Sequence, residues 1–302
     1  MATPIIAAYD PFLEDRAPVE LALVFGELTG TPVLACAVHA AAFVDGWMEP
    51  FQSDPEILAA GERALRQLRG DTGVQSRSIV DVSVPRALHD LARRQGSGLI
   101  VVGSTKRGRT GRVLPGSTAE RVLHGAECAV ALAPNGYRRR PVETVAVGFV
   151  DTAEGRAALA AAYDLARRAG ARLRAIAVLH PSGGLDAALA QGTPPQRAHM
   201  LRGHHRTAIE DALARAVAAL PGGVEVDTEI HVDDPADALL RISEHVDMLV
   251  CGSRGYGPIR SVLLGGVSRR LVDGAQCPVL VLPRGSERPL GDLLAPMKAT
   301  AA

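Results

Sequence analysis

The sequence predicts an α/β chain of two tandem domains, each a doubly wound, five-stranded parallel sheet. Three observations carry that expectation: the chain repeats itself, each repeat alternates strand with helix, and the strands are apolar on both faces. At 302 residues, with 47% hydrophobic and 22% charged side chains, the composition is globular and the length suffices for two domains with their own cores. The repeat is the strongest signal. A shift of 140 lays Ile5 to Val38 on Val145 to Val178 without a gap, with Ile5-Ile6-Ala7-Ala8-Tyr9 on Val145-Ala146-Val147-Gly148-Phe149 and Gly30 on Gly170. A shift of 149 lays Leu99-Ile100-Val101-Val102-Gly103-Ser104 on Met248-Leu249-Val250-Cys251-Gly252-Ser253, Gly116 on Gly265, and Pro134 on Pro283. The difference between the shifts is a net insertion in the second repeat, fitted by the Pro-, Gly- and Ala-rich stretch from Pro181 to Gln196.

Taken in order, the first repeat opens with a strand at Ile5 to Tyr9, a helix-period segment at about Val19 to Leu28, and a strand at Val33 to Val38. Pro55 to Leu68 carries apolar residues at helical spacing. A short strand at about Ser76 to Val80 leads into a helix at Val84 to Arg94 and the apolar strand Leu99 to Val102. After a glycine-rich loop come a helix at Ser117 to His124 and a last strand at Ala129 to Ala133. Strands without a polar face belong in a parallel sheet covered by helices on both sides. Domain 1 is therefore expected over residues 1–135 and domain 2 over 142–285, with Asn135 to Pro141 as linker. Residues 286–302 lack periodicity and read as a loose tail.

Charge excludes some partners. Acidic and basic residues balance at 33 each, so a generally basic face for DNA or anionic lipid is not expected. No apolar run reaches the length of a bilayer span and the N-terminus has no signal-like segment, so a cytoplasmic protein is expected. Cys36, Cys128, Cys251 and Cys277 sit in apolar strand-like runs, without CxxC pairing or metal-ligand spacing, and read as small buried hydrophobes. His199, His204 and His205 lie on a polar helix starting near Gln196, with no acidic or Cys partner at ligand spacing.

Chemistry concentrates in the loop after each fourth strand. In the second half Gly252-Ser253-Arg254-Gly255-Tyr256-Gly257 precedes a helix opening at Gly265-Gly266-Val267-Ser268. The first half has Gly103-Ser104-Thr105-Lys106-Arg107-Gly108, then Gly116-Ser117-Thr118. A turn with little Cβ bulk lets backbone N–H groups converge on an anion, and the next helix adds unpaired donors and its positive dipole end. In an open α/β sheet such a loop lies outside the strand carboxyl ends, where ligands bind.

These residues resemble the universal stress protein family, whose pattern is Gly, two residues, Gly, nine residues, Gly, then Ser or Thr. Gly252, Gly255 and Gly265 keep the spacing but Gly266 replaces the hydroxyl; Gly103, Gly116 and Ser117 keep it but Lys106 replaces the second glycine. The resemblance implies a five-stranded doubly wound fold of the adenine-nucleotide α-hydrolase-like kind, pairing through the last strand. Here that would pack the two halves as an internal pseudo-dimer. It also implies ATP or another adenine nucleotide as ligand, with or without Mg²⁺, in a stress-response regulatory module; some members of the family lack nucleotide. In the binders an Asp after strand one contacts the adenosine and a strand-two Val presents its backbone to the base, positions matched by Asp10 and Val38. The second half offers Val178 for the base but Val150 for the Asp, with Asp151 next to it. A hydrogen bond to a charged group contributes roughly 1.5–3 kcal/mol, so losing the carboxylate weakens binding by about 10- to 100-fold. The first half is the expected better site, with Lys106 adding charge beside Arg107, Arg109 and Arg112.

Other readings compete. Family members without nucleotide keep the fold, so the chain also reads as an interaction scaffold with degenerate sites. Gly111 to Gly116 imitates the start of a Walker loop, but Ser117 stands where Lys is required. Ser182-Gly183-Gly184-Leu185-Asp186 resembles the pyrophosphate loop of adenylating enzymes, yet it follows the second strand and continues into Ala187. No nucleophile is paired with a general base in the loops and no acidic cluster for Mg²⁺ is evident, so at most slow ATP hydrolysis is expected. A homodimer of the tandem chain is a further expectation.

Overall fold

Each apolar strand needs cover on both faces, and the arrangement of helices follows from that need. A computed structural model of the chain describes residues 3–12, 16–44, 47–50, 55–104, 117–181, 195–253 and 266–282. The first half runs β1 (Ile5–Ala8), α1 (Ala17–Thr29), β2 (Val33–Val44), β3 (Trp47–Pro50), α2 (Pro55–Thr72), β4 (Gln75–Asp81), α3 (Val84–Gln95), β5 (Leu99–Gly103), α4 (Ser117–Leu123) and β6 (Ala129–Ala133). The second runs β7 (Thr144–Phe149), α5 (Ala153–Ala169), β8 (Arg172–Leu179), α6 (Pro195–Ala218), β9 (Val226–Val232), α7 (Pro235–Ile242), β10 (Met248–Gly252), α8 (Gly266–Gly274) and β11 (Val279–Leu282).

Within each half the five main strands are parallel, in the order β4-β2-β1-β5-β6 and β9-β8-β7-β10-β11. The fold class expected from the sequence is therefore the one found. The halves join edge to edge through β6 and β11, which pair antiparallel with Leu280 opposite Ala131. Both strands are buried along their length, and the pairing turns two sheets into one continuous sheet. This is the internal pseudo-dimer, and it removes one open edge from each half. One core layer takes α1 and α5 side chains such as Phe25 and Leu159, the other takes α3 and α8 side chains such as Leu88 and Leu271.

Local chemistry explains the repeated punctuation. Gly30 and Gly170, matched by the 140-residue shift, both end a helix in the left-handed conformation, at φ 70° and 63°, where a side chain costs about 1–2 kcal/mol. Thr152 caps α5 by accepting from Gly155 N at 3.1 Å, and Asp234 caps α7 through Ala236 N and Asp237 N.

One element differs from expectation. The second strand continues past Val38 to Val44 and folds back onto β3, with Val44 opposite Trp47. The intervening Asp45-Gly46 is the strongest short hairpin signal a sequence offers. The expected tail 286–302 and most of the stretch 181–196, including Ser182 to Asp186, lie outside the described residues. Among the described residues no helix is long and apolar enough to cross a membrane.

Candidate functional site

A strand that outruns its neighbour leaves backbone groups without a ladder partner. Tyr9 N donates to Cys36 O at 2.9 Å and Ile5 N to Pro32 O, just before β2, at 2.8 Å, so the even-numbered residues of β2 face β1. The two-residue alternation turns Val38 the same way, past the end of β1 at Ala8, with no described strand opposite it. The second half differs by one residue. Arg172 N donates to Glu143 O at 2.9 Å, so Val178 also faces β7, but there the ladder runs on to Phe149 opposite Ala177 and takes up the Val178 N–H. Val38 alone of the two valines thus presents both N–H and C=O past the end of its neighbour.

The residue after strand one separates the halves. Asp10 is exposed, and its Oδ1 accepts from Phe12 N at 2.9 Å, an Asx turn that leaves Oδ2 without a partner among the described residues. Val150 takes this place in the second half, 45% exposed. Its carbonyl accepts from Thr152 N at 2.7 Å in a three-residue turn. Gly155 packs against that turn so closely that a Cβ would lie 3.0 Å from Val150 N and 2.9 Å from its carbonyl carbon. The neighbouring carboxylate, Asp151, pairs with Arg156 on the first turns of α5.

The glycines that open the loops have a packing role. A Cβ on Gly103 would lie 2.9 Å from the Pro18 ring, and one on Gly252 would lie 3.2 Å from the Glu154 carbonyl oxygen. Strand ends and helix starts therefore touch through glycine. Ser117 begins α4 and Thr118 is exposed on its first turn; Gly266, exposed, and Val267, half-buried, begin α8. Ser268 is buried and donates its hydroxyl to Gly252 O at 3.0 Å, so its proton serves the scaffold. Lys106, Gly116, Gly255 and Gly265, and with them Arg107, Arg109 and Arg112, lie outside the described residues.

Electrostatics separates the halves further. Arg270 on α8 is clamped by Asp234 at 2.7 Å and by Asp237, the N-cap of α7 and the residue three beyond it. At the same helix positions in the first half stand Ser83 and Arg86. Arg86 pairs with Asp81 at 2.9 Å. The start of α7 thus carries two carboxylates where the start of α3 carries a serine and an arginine. Burial pushes Cys36, Cys128, Cys251 and Cys277 up to about 12, so they are thiols at neutral pH and supply no nucleophile. Among the described residues no group of three or more His, Cys, Asp or Glu is placed to hold a metal.

Two residues next to Asp10 and Val38 escaped the sequence reading. Phe12 is 47% exposed and meets His39 edge-to-face, ring centroids 6.4 Å apart at 72°. His39 follows Val38 directly. The signal was present: aromatic residues are only 3% of the chain, and one stands two residues past the first strand's carboxylate.

Comparison with known proteins gives a consistent result. The model of the universal stress protein family matches residues 1–134 and again 142–283. A universal stress protein of Mycobacterium tuberculosis H37Rv is 26% identical over 235 residues, 74% of this chain and 76% of that one. Among solved structures, a functionally unknown protein of Pseudomonas aeruginosa PAO1 is similar over 97% of both chains, with a TM-score of 0.66 at 16% identity. A universal stress protein from Archaeoglobus fulgidus covers 94% of this chain and is itself covered completely, at 100%, with a TM-score of 0.61 and 18% identity.

Proposed function

This chain belongs to the universal stress protein family as a tandem member, and on that premise we propose that its first half binds ATP or another adenine nucleotide as a regulatory module. The observation that carries the proposal is the backbone of Val38 projecting past β1 with the exposed Asp10 carboxylate at the same strand end. That edge offers one donor and one acceptor, the complement of an adenine edge, and Asp10 Oδ2 is open to ribose hydroxyls. Gly103, Ser117 and Thr118, with Lys106 and Gly116, would take the phosphates. The reading is one of binding and release without turnover, in the cytoplasm and without DNA as a partner.

The second half supports a different reading, that of a scaffold without nucleotide. Val150 stands for the carboxylate, Asp151 is engaged by Arg156, and the Ser268 hydroxyl is taken by Gly252. One nucleotide per chain is expected.

The test is release of nucleotide from freshly purified protein by acid, followed by titration of Asp10→Asn and Asp151→Asn with ATP. Asp10→Asn keeps an acceptor for Phe12 N but removes the charge, and should weaken ATP by about 10- to 100-fold. Asp151→Asn should leave affinity unchanged. Equal losses, or two nucleotides per chain, would overturn the assignment to the first half; no nucleotide and no heat of binding would favour the scaffold for both.

A further inference from the structure

A cavity of 420 Å³ lies at the opposite end of the sheet from Asp10 and Val38, where the C-terminal turns of α1 and α5 meet the segment joining the halves. Its size falls within the range of small-molecule sites. Val24, Leu28 and Val142 give it an apolar floor, and Arg139, Arg140, Arg168 and Glu27 stand around it. Three guanidiniums and one carboxylate line it, with Asp247 and Asp164 paired to Arg140 and Arg168 from outside the lining.

Those guanidiniums are only partly spoken for. Arg139 pairs with Glu27, but the two side chains are 47% and 60% exposed, and such a surface pair contributes about 0–1 kcal/mol. An incoming carboxylate can take Arg139 while Glu27 returns to water. Arg168 gives Nε to Asp164 at 2.8 Å and Nη1 to Leu28 O at 3.3 Å. Arg140 reaches Asp247 at 3.2 Å, a carboxylate whose other oxygen also accepts Glu143 N and Thr144 N, each at 3.0 Å. An apolar floor beneath planar, forked donors suits a ligand with an apolar body and one carboxylate head.

We propose that this cavity binds a small amphipathic carboxylate. It is built from α1 of the first half, α5 of the second and the segment between them, so an occupant touches both halves at once and stabilises their junction. The site is separate from the strand carboxyl ends and does not depend on nucleotide binding there.

Calorimetric titration of the full chain with octanoate tests this, with 1-octanol and acetate as probes lacking the charge or the apolar body. Octanoate should bind saturably at one site per chain, more tightly than either control, with ATP leaving its affinity unchanged. Arg139→Gln, on the exposed rim, should weaken octanoate about 10-fold, and Ala169→Trp should abolish it by filling the cavity. Far-ultraviolet circular dichroism checks that the variants fold; should Ala169→Trp not fold, Arg139→Gln decides. Absence of saturable octanoate binding, equal affinity for 1-octanol, no effect of Arg139→Gln, or competition by ATP would each overturn the proposal.

Discussion

Replacing Gly155 with Ala should destabilise the second half far more than the same change elsewhere on a helix. The added methyl would enter the turn Val150-Asp151-Thr152, 3.0 Å from Val150 N and 2.9 Å from the carbonyl carbon. Real Cβ contacts essentially never approach backbone so closely, and backbone gives way less readily than a side-chain tip. Overpacking of this kind costs about 1–3 kcal/mol. Opening the turn also breaks the 2.7 Å bond from Thr152 N to Val150 O, a further ~1 kcal/mol. A loss of about 3 kcal/mol lowers Tm by roughly 6–12 °C for a unit of this size. The control is Gly203→Ala within α6, where a Cβ meets no atom within 4 Å. There, relief of glycine's backbone entropy should raise stability by about 0.5–1 kcal/mol. Differential scanning calorimetry of both variants is the assay. If Gly155→Ala melts with or above the parent chain, the argument that this glycine sets the β7–α5 turn is wrong.

Two further outcomes follow from the titrating groups. The Arg174 hydrogen bond at 2.7 Å holds the Glu229 carboxyl below its ordinary 4.5; burial opposes it and His231 at 2.9 Å adds to it. A depressed folded pKa stabilises fully above the unfolded value and is lost as pH falls through the folded one. The Tm advantage of the parent over Glu229→Gln should therefore be largest at neutral pH and shrink below pH 4.5; a gap constant with pH would refute the pairing. The thiols should react slowly with a disulfide reagent at neutral pH, half-buried Cys128 first and buried Cys36, Cys251 and Cys277 only as the chain unfolds. Fast labelling of a buried cysteine in the folded protein would contradict the packing.

Short-range features were legible early. Gly30 and Gly170 betray helix ends because the left-handed conformation is a local demand. The strand Ala129–Ala133 has the expected bounds because a run without polar residues has one destination. The β2–β3 hairpin was legible too, through Asp45-Gly46, but the apolar run after Val38 drew no strand. The partner of Ser268 was not legible: a hydroxyl near a glycine loop reads as a donor for phosphate, and only packing of α8 against β10 brings it to Gly252 O. Arg174 and Glu229, 55 positions apart, meet for the same kind of reason.

By itself the sequence determined the duplication, the alternation of elements and the family, because periodicity and turn chemistry act over a few residues and survive in any context. Only the tertiary structure decided which groups remain open to a ligand. It leaves one oxygen of Asp10 without a partner among the described residues, engages Asp151 with Arg156, and brings two distant helix ends together over a cavity lined by three arginines. Such outcomes depend on contacts between residues far apart in the chain, where each donor or charge has several possible partners and packing selects one.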